Sequence, residues 1–431
     1  MNVIVKQYNV KREDGYHNRI SLVDKNSIPV SPYTVIFLNS WIPQKSISDK
    51  KRKSNELKFF LQHLTNVQPD DLKAPIGIDI IQRALSGQFL SRSECRSFTD
   101  ACRFKVKKDN NSNVLLMEKF NNKTLQNAIH SSKVSRETID DGTKHGRIKT
   151  ALSFLEFLYE EIHGQFLAPD FVKNNYFSDK HEFELAIANK IKKTEAPSFE
   201  ESKIPPHIYL RLLEIIQIDS PDNPFKHAKQ RNSLIVQLIL ETGERRGAIS
   251  KLKISDCQFE GTGDQIRITK TPNDLTDPRV NPSSQKTDAH SAYVDPNIMI
   301  ELDKYIEYQR KRFTKSELHE FIFIAEHDSK GTKGEPLNVK GINGIFKILS
   351  KALGFHITPH LGRHKWNEIF SDLTKSMSDE QADKLRKYAM GWSKTSGMVD
   401  VYNKFKHSVE VREIQRARQA KIMSAGVNDG K

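Results

Sequence analysis

The sequence predicts an α+β fold, mainly α-helical with one small antiparallel sheet, on three observations. Apolar residues recur at helical spacing in several long stretches. Two short segments in the C-terminal half alternate as strands do. Between the two halves lies a polar, proline-containing break, Lys190 to Pro206 (KIKKTEAPSFEESKIPP). A chain of 431 residues suits two to three domains, each able to bury a core.

Taken in order, residues 1–30 hold two β-like pieces, Val3 to Tyr8 and Arg19 to Val23, around Asp14-Gly15, the pattern of a hairpin. Residues 31–189 read as helical. Val35, Phe37, Leu38 and Trp41 form one apolar group before a polar break at Pro43 to Asp49. Leu57, Phe60, Leu61 and Leu64 then follow at i, i+3, i+4 and i+7, one face of a helix. Ser135-Arg136-Glu137-Thr138 is a candidate helix start, with Ile148, Leu152, Leu155 and Tyr159 continuing an apolar stripe. These make two helical hairpins of one general kind, though their sequences are too different for a repeat. Residues 190–206 are the linker, and residues 207–410 form a second domain. Its first strong helix ends at Glu241 and buries Leu234, Ile235, Leu238 and Ile239. Asp264 to Lys270 and His290 to Val294 are short strands, and Phe321 to Ala325 is a further apolar run. Ile342, Ile345, Phe346, Leu349 and Leu353 give a helix stopped by Gly354. Residues 411–431 are a basic tail.

Charged residues are 28% and hydrophobic ones 37%, the composition of a soluble globular chain rather than a disordered one. A formal net charge of +14 favours a polyanionic partner. The N-terminus, MNVIVKQYNVKREDG, turns polar too early for a signal peptide, and the longest apolar stretch, Leu234 to Leu240, is too short to span a bilayer. No membrane partner is expected. Cys95, Cys102 and Cys257 give neither a disulfide framework nor paired CxxC knuckles, which points to a reducing, cytoplasmic setting.

Five stretches carry the chemistry, in fixed order: Thr242-Gly243-Glu244-Arg245, Lys286-Thr287, His360-Leu361-Gly362-Arg363-His364, Gly391-Trp392 and Tyr402. Gly243 ends the buried helix and sets Arg245 on a corner, where its planar fork can grip a phosphate. Arg246 beside it reads as a surface residue or a DNA-backbone contact. With Pro359 opening a helix, His360 and Arg363 lie one turn apart on one face. A metal site is not expected, because neither His-Glu-x-x-His nor a cysteine pair accompanies them. Tyr402 is the last tyrosine of the chain. Its phenol, with an unperturbed pKa of about 10, needs an electropositive setting to attack at neutral pH. Trp392 can donate one N–H bond but cannot act as a base. Tyr388 is the rival nucleophile and reads as a packing residue. The run Lys50-Lys51-Arg52-Lys53 at a helix start is a candidate DNA-binding patch.

This ordered set resembles the tyrosine recombinase (phage integrase) family. The resemblance implies that residues 31–189 are a helical core-binding domain that grips DNA and that residues 207–410 are the catalytic domain. It assigns Arg245, His360, Arg363 and Trp392 to the scissile phosphate and Tyr402 to nucleophilic attack, giving a 3′-phosphotyrosyl link. A lysine on a β-hairpin between the arginine motifs would protonate the leaving 5′ oxygen. Lys286 matches that place best, and Lys270 on the preceding strand is the alternative. The sequence departs from the family at Ala248, where relatives carry an acidic residue three positions after the first arginine. The resemblance implies a site-specific recombinase that integrates or excises a mobile element and needs no cofactor. It would be nucleoid-associated, acting on double-stranded recombination sites as a homotetramer, with helper DNA-bending or directionality proteins. Two other readings use the same residues: a type IB topoisomerase-like enzyme, and a non-catalytic DNA-binding protein descended from a recombinase.

Overall fold

The computed structural model describes residues 3–42, 46–65, 77–106, 138–164, 168–188, 203–259, 263–271, 274–283, 285, 287–328, 331–399, 414–415 and 417–418. The described chain is mainly helical with two small antiparallel sheets, the fold class expected. It divides into two compact units, residues 1–10 with 18–196 and residues 11–17 with 197–431. The expected linker falls almost entirely on residues 189–202, outside the described residues.

The chain begins with a hairpin of β1 (Ile4–Arg12) and β2 (Gly15–Val23), longer than the alternation predicted; its turn, residues 11–17, is grouped with the second unit and its base with the first. Val3, Ile20 and Leu22 enter the same core as the helices, so the hairpin is part of that unit's packing. Short α1 (Pro32–Ile36) is capped by Ser31. Next come α2 (Ile47–Thr65), α3 (Ile80–Leu85) and α4 (Arg92–Ala101), the last opened by a Ser91/Glu94 capping box. Leu57, Phe60 and Leu64 of α2 are buried as the spacing requires. The next long helix, α5 (Asp141–His163), starts later than the sequence suggested: Asp140 accepts the Thr143 N–H at 2.8 Å. Ser135 to Glu137 lie outside the described residues. α5 packs on its sequence neighbour α6 (Asp170–Ala188), an adjacent helical pair, and also on α2, far away in the chain. Phe98 joins the layers, with ring centroids 4.8 Å from Phe60 and 5.9 Å from Phe183. Each such buried ring contributes roughly 1.5–3 kcal/mol.

In the second unit α7 (Pro206–Ile215) leads to α8 (Lys229–Thr242), whose buried Leu234, Ile235, Leu238 and Ile239 form the centre of the core. α9 (Arg246–Lys251) follows at once. β3 (Cys257–Gln258), β4 (Gln265–Ile268) and β5 (His290–Tyr293) form an antiparallel sheet in that order. Ile268 pairs with His290 and Gln265 with Tyr293. Ile266 and Ile268 point into the core while Arg267 points out, the alternation that made β4 legible. Two-residue β3 has no such signature and was not foreseen. Phe321 to Ile324 are buried but form only isolated bridges, to Lys253 and Pro336. α10 (Pro296–Lys304), α11 (Val339–Leu353), α12 (Pro359–Leu373) and α13 (Asp379–Ala389) complete the unit. α12 lies against α8, which brings the two arginine stretches to one place.

Candidate active site

α8 ends at Gly243, whose φ of 65° is left-handed. A Cβ there would stand 2.8 Å from Trp366 Cγ, so conformation and space both demand glycine. The Trp366 indole donates to the Glu241 carbonyl at 2.9 Å and fixes α12 to the corner. Thr242 Oγ1 accepts the Glu244 N–H at 3.2 Å, and Arg245 becomes the residue before α9. Arg245 is half-buried. Its Nη1 is out of water and has no hydrogen-bond partner among the described residues, an orientation that calls for an acceptor. Arg246 is exposed and donates to Asn343 at 2.7 Å. Ala248 is buried at the edge of the core, where it lines a small cavity with Lys251, Asp256, Arg267 and Gln285.

On α12, Thr358 caps the helix by accepting the Leu361 N–H at 3.2 Å, and Pro359 occupies the first turn. Arg363 is 2% exposed. It donates to the Gly243 carbonyl at 2.8 Å and the Met390 carbonyl at 3.5 Å, and its guanidinium lies 5.7 Å from the Trp392 ring. One side chain therefore joins the corner after α8 to the Gly391-Trp392 turn. His360 stands edge-on to His364, centroids 4.4 Å apart. Partial desolvation, then the cations Arg363, Arg245 and Arg246, hold His360 below the ordinary histidine range. His364 is pushed down to about 4 by desolvation and by His360 and Arg363. Both rings are neutral at pH 7, and His360 can donate or accept one bond near the arginines.

Lys286 lies outside the described residues, but its neighbours do not. Gln285 and Thr287 are buried and bonded to each other through their side chains, and Asp288 N–H donates to the Gly391 carbonyl at 2.8 Å. Lys270, the alternative, pairs with Asp288 at 2.9 Å on the surface. Sequence reasoning missed His290, the first residue of β5. Its Nε2 is 2.8 Å from Glu244 Oε1 and its Nδ1 is 2.9 Å from the Asp288 carbonyl. Glu244 is 0% exposed, and its other oxygen accepts the Arg245 N–H at 3.3 Å. Burial lowers the affinity of His290 for a proton, but the Glu244 contact outweighs it and the ring is held above the usual range. The signal was present: Glu244 sits inside the quoted Thr-Gly-Glu-Arg stretch, and His290 opens a recognised strand.

Tyr402 and the basic tail residues Lys404, Lys406, Arg412 and Arg416 fall outside the described residues. Tyr388 is 64% exposed on α13, so the expectation that it packs is not met. In the first unit Lys50 is only 6% exposed, and burial depresses its ammonium's proton affinity. Lys51 and Arg52 are exposed and Lys53 is half-buried, with Arg52 also paired to Glu56 at 2.9 Å. Among the described residues no cluster of three or more His, Cys, Asp or Glu is arranged to hold a metal, and no helix is long and apolar enough to cross a membrane.

Residues 206–407 match the phage integrase family, and this stretch is a domain of that family. The chain is also similar to several solved structures. XerA recombinase is 15% identical, with 87% of this chain and 92% of that chain covered, at a TM-score of 0.35. A lambda integrase fragment bound to a COC′ core site is 15% identical, covering 85% and 91%, at 0.42. XerH site-specific recombinase bound to difH is 13% identical, covering 85% and 97%, at 0.40. No curated protein matches the sequence significantly.

Proposed function

With residues 206–407 a phage integrase domain, we propose that the protein is a site-specific DNA recombinase that cuts and rejoins strands through a tyrosyl–DNA ester. Tyr402 gives its phenolic proton to solvent water and attacks the scissile phosphorus. The new tyrosyl O–P bond replaces the bond to the 5′ oxygen, and Lys286 gives that oxygen a proton as it leaves. The 5′ hydroxyl of a partner strand then attacks the same phosphorus and releases the tyrosine. One phosphoester replaces another at each step, so the bond energy is retained and no cofactor is consumed.

The observation that carries this reading is the convergence at Arg363. Its guanidinium spans the carbonyls of Gly243 and Met390, next to a corner where Arg245 Nη1 is buried and without a partner among the described residues. Preorganised cations of this kind stabilise the charge that builds on a pentavalent phosphorus. Neutral His360 at the start of α12 offers one further bond to a phosphate oxygen. Lys51, Arg52 and Lys53, with Arg246 and the net charge of +14, supply the sequence-independent attraction to duplex DNA. Four such protomers on two sites would exchange the strands of a mobile element and its target.

A suicide substrate nicked beside the scissile bond tests the reading. Wild-type protein and Tyr388→Phe should be trapped covalently, and Tyr402→Phe should stay free. An adduct that survives Tyr402→Phe and disappears in Tyr388→Phe moves the nucleophile to α13. Incubation with two marked sites should give exchanged products; relaxation of supercoils without exchange would make the enzyme a topoisomerase.

A further inference from the structure

His290 and Glu244 are buried, titratable and unused by the chemistry above. Both ring nitrogens of His290 face acceptors, the Glu244 carboxylate at 2.8 Å and the Asp288 carbonyl at 2.9 Å. A carbonyl cannot donate, so Nδ1 must carry a proton. Nε2 carries one too while Glu244 is ionised, which makes the ring an imidazolium. The same ring fills the space beside Gly391, where a Cβ would approach its Nδ1 to 2.4 Å. The adjoining Asp288 N–H grips the Gly391 carbonyl at 2.8 Å. Glu244 in turn holds the Arg245 N–H at 3.3 Å. Three stretches far apart in sequence thus meet at one buried ion pair.

We propose that Glu244 and His290 form a carboxylate–imidazolium latch that fixes the strand following Lys286 against the Arg245 corner and the Gly391-Trp392 turn, making His290 a positioning residue for protonation of the leaving 5′ oxygen. The inference rests on the strand-transfer reading. His290 opens β5 four residues after Lys286 in the sequence, so a ring anchored there anchors the start of the strand that follows the proposed proton donor. Releasing the latch should misplace the proton donor and leave the arginine grip on the phosphate in place.

The full-length protein, labelled with nitrogen-15 in its histidine rings, gives the first readout. The His290 signal, identified by its absence in His290→Gln, should report two ring protons at about pH 7.5 and lose one in Glu244→Gln. The second readout is single-turnover cleavage of ordinary DNA and of DNA whose leaving 5′ oxygen is sulfur, which departs without a proton. His290→Gln and Glu244→Gln should each slow ordinary cleavage by about a hundredfold, as expected for a misplaced catalytic group. On the sulfur substrate the loss should shrink to about threefold, with DNA affinity unchanged within about threefold. A neutral His290 ring in the wild type overturns the latch. So does an equal loss on both substrates, the mark of a merely structural role. If both variants fail to fold, the wild-type ring is assigned instead by its nuclear Overhauser contacts with Gly391, which it adjoins, and its proton count decides. If wild-type protein forms no adduct at all, the strand-transfer reading fails, while the ring spectrum still upholds or overturns the ion pair.

Discussion

His290 at the start of β5 and His360 at the start of α12 both feel the Arg363 guanidinium, yet their rings ionise in opposite directions. His360 sees the cations Arg363, Arg245 and Arg246, and its ring neighbour His364 is itself held neutral. A further positive charge there is unfavourable. His290 loses more water, but a buried carboxylate stands 2.8 Å from its Nε2. At that distance in a poorly screened interior one anion outweighs both burial and a cation. The difference teaches how a cation-rich neighbourhood can disfavour the charge on one histidine while a buried carboxylate favours it on another.

The largest expected effect comes from removing the cation common to both neighbourhoods. Arg363→Ala should cut single-turnover cleavage by about a hundredfold or more, as for loss of a preorganised charge donor. DNA affinity should stay within about tenfold, because many other basic contacts share that term. Both rings should also hold their protons to higher pH in this variant. A downward movement of either would mean that Arg363 does not act on them as a charge. Equal losses of affinity and cleavage would reduce the arginine to a backbone clamp.

Glu244→Gln should erase the comparison by making His290 behave like His360. Breaking a buried pair costs about 3–5 kcal/mol when a charge is left stranded, but His290 can shed its proton. We therefore expect a loss of about 2 kcal/mol in urea unfolding at neutral pH. A change smaller than about 0.5 kcal/mol would mean the pair only offsets its own desolvation.

The pH dependence of stability separates the two neighbourhoods without any change to the site. His290 is raised on folding, so its contribution is complete below the unfolded value of about 6.5 and is lost as pH climbs through the raised value. His364 is lowered, so its contribution is present above about 6.5 and is lost as pH falls toward about 4. The gap in melting temperature between wild type and Glu244→Gln should therefore be full below about pH 6.5 and close along the alkaline limb, whatever Asp179, raised to about 7, adds on the acid side. Closure along the acid limb instead would reverse the assignment.

The smallest effect is expected where the β5 neighbourhood meets solvent. Lys270 and Asp288 are each about half exposed, and such pairs contribute ~0–1 kcal/mol. Lys270→Ala should change cleavage by less than about threefold. A large loss, rescued by the sulfur substrate, would make Lys270 the proton donor in place of Lys286.

Much of this was legible because the determining signals are local. Gly243 and Gly354 stop helices through their own left-handed φ, Thr358-Pro359 starts one, and α2 and β4 show their buried faces by spacing alone. The Arg245, Arg363 and Trp392 stretches, grouped by their order in the sequence, do lie together: Arg363 reaches the Gly243 corner and the Met390 carbonyl beside Trp392. What stayed hidden depends on partners distant in the chain. Lys50 looked like its neighbours in a basic run, yet the fold buries it while exposing Lys51. Tyr388 looked like a packing residue and faces solvent. Ala248 left the Arg245 corner without its expected acid. Only packing brought Glu244, 46 residues from His290 in sequence, into contact with that ring and set its charge. The sequence by itself determined which elements form, because helix stops, caps and alternation act over a few residues. Tertiary structure alone decided the protonation of each histidine, because burial and Coulomb forces act through space between residues that no local pattern connects.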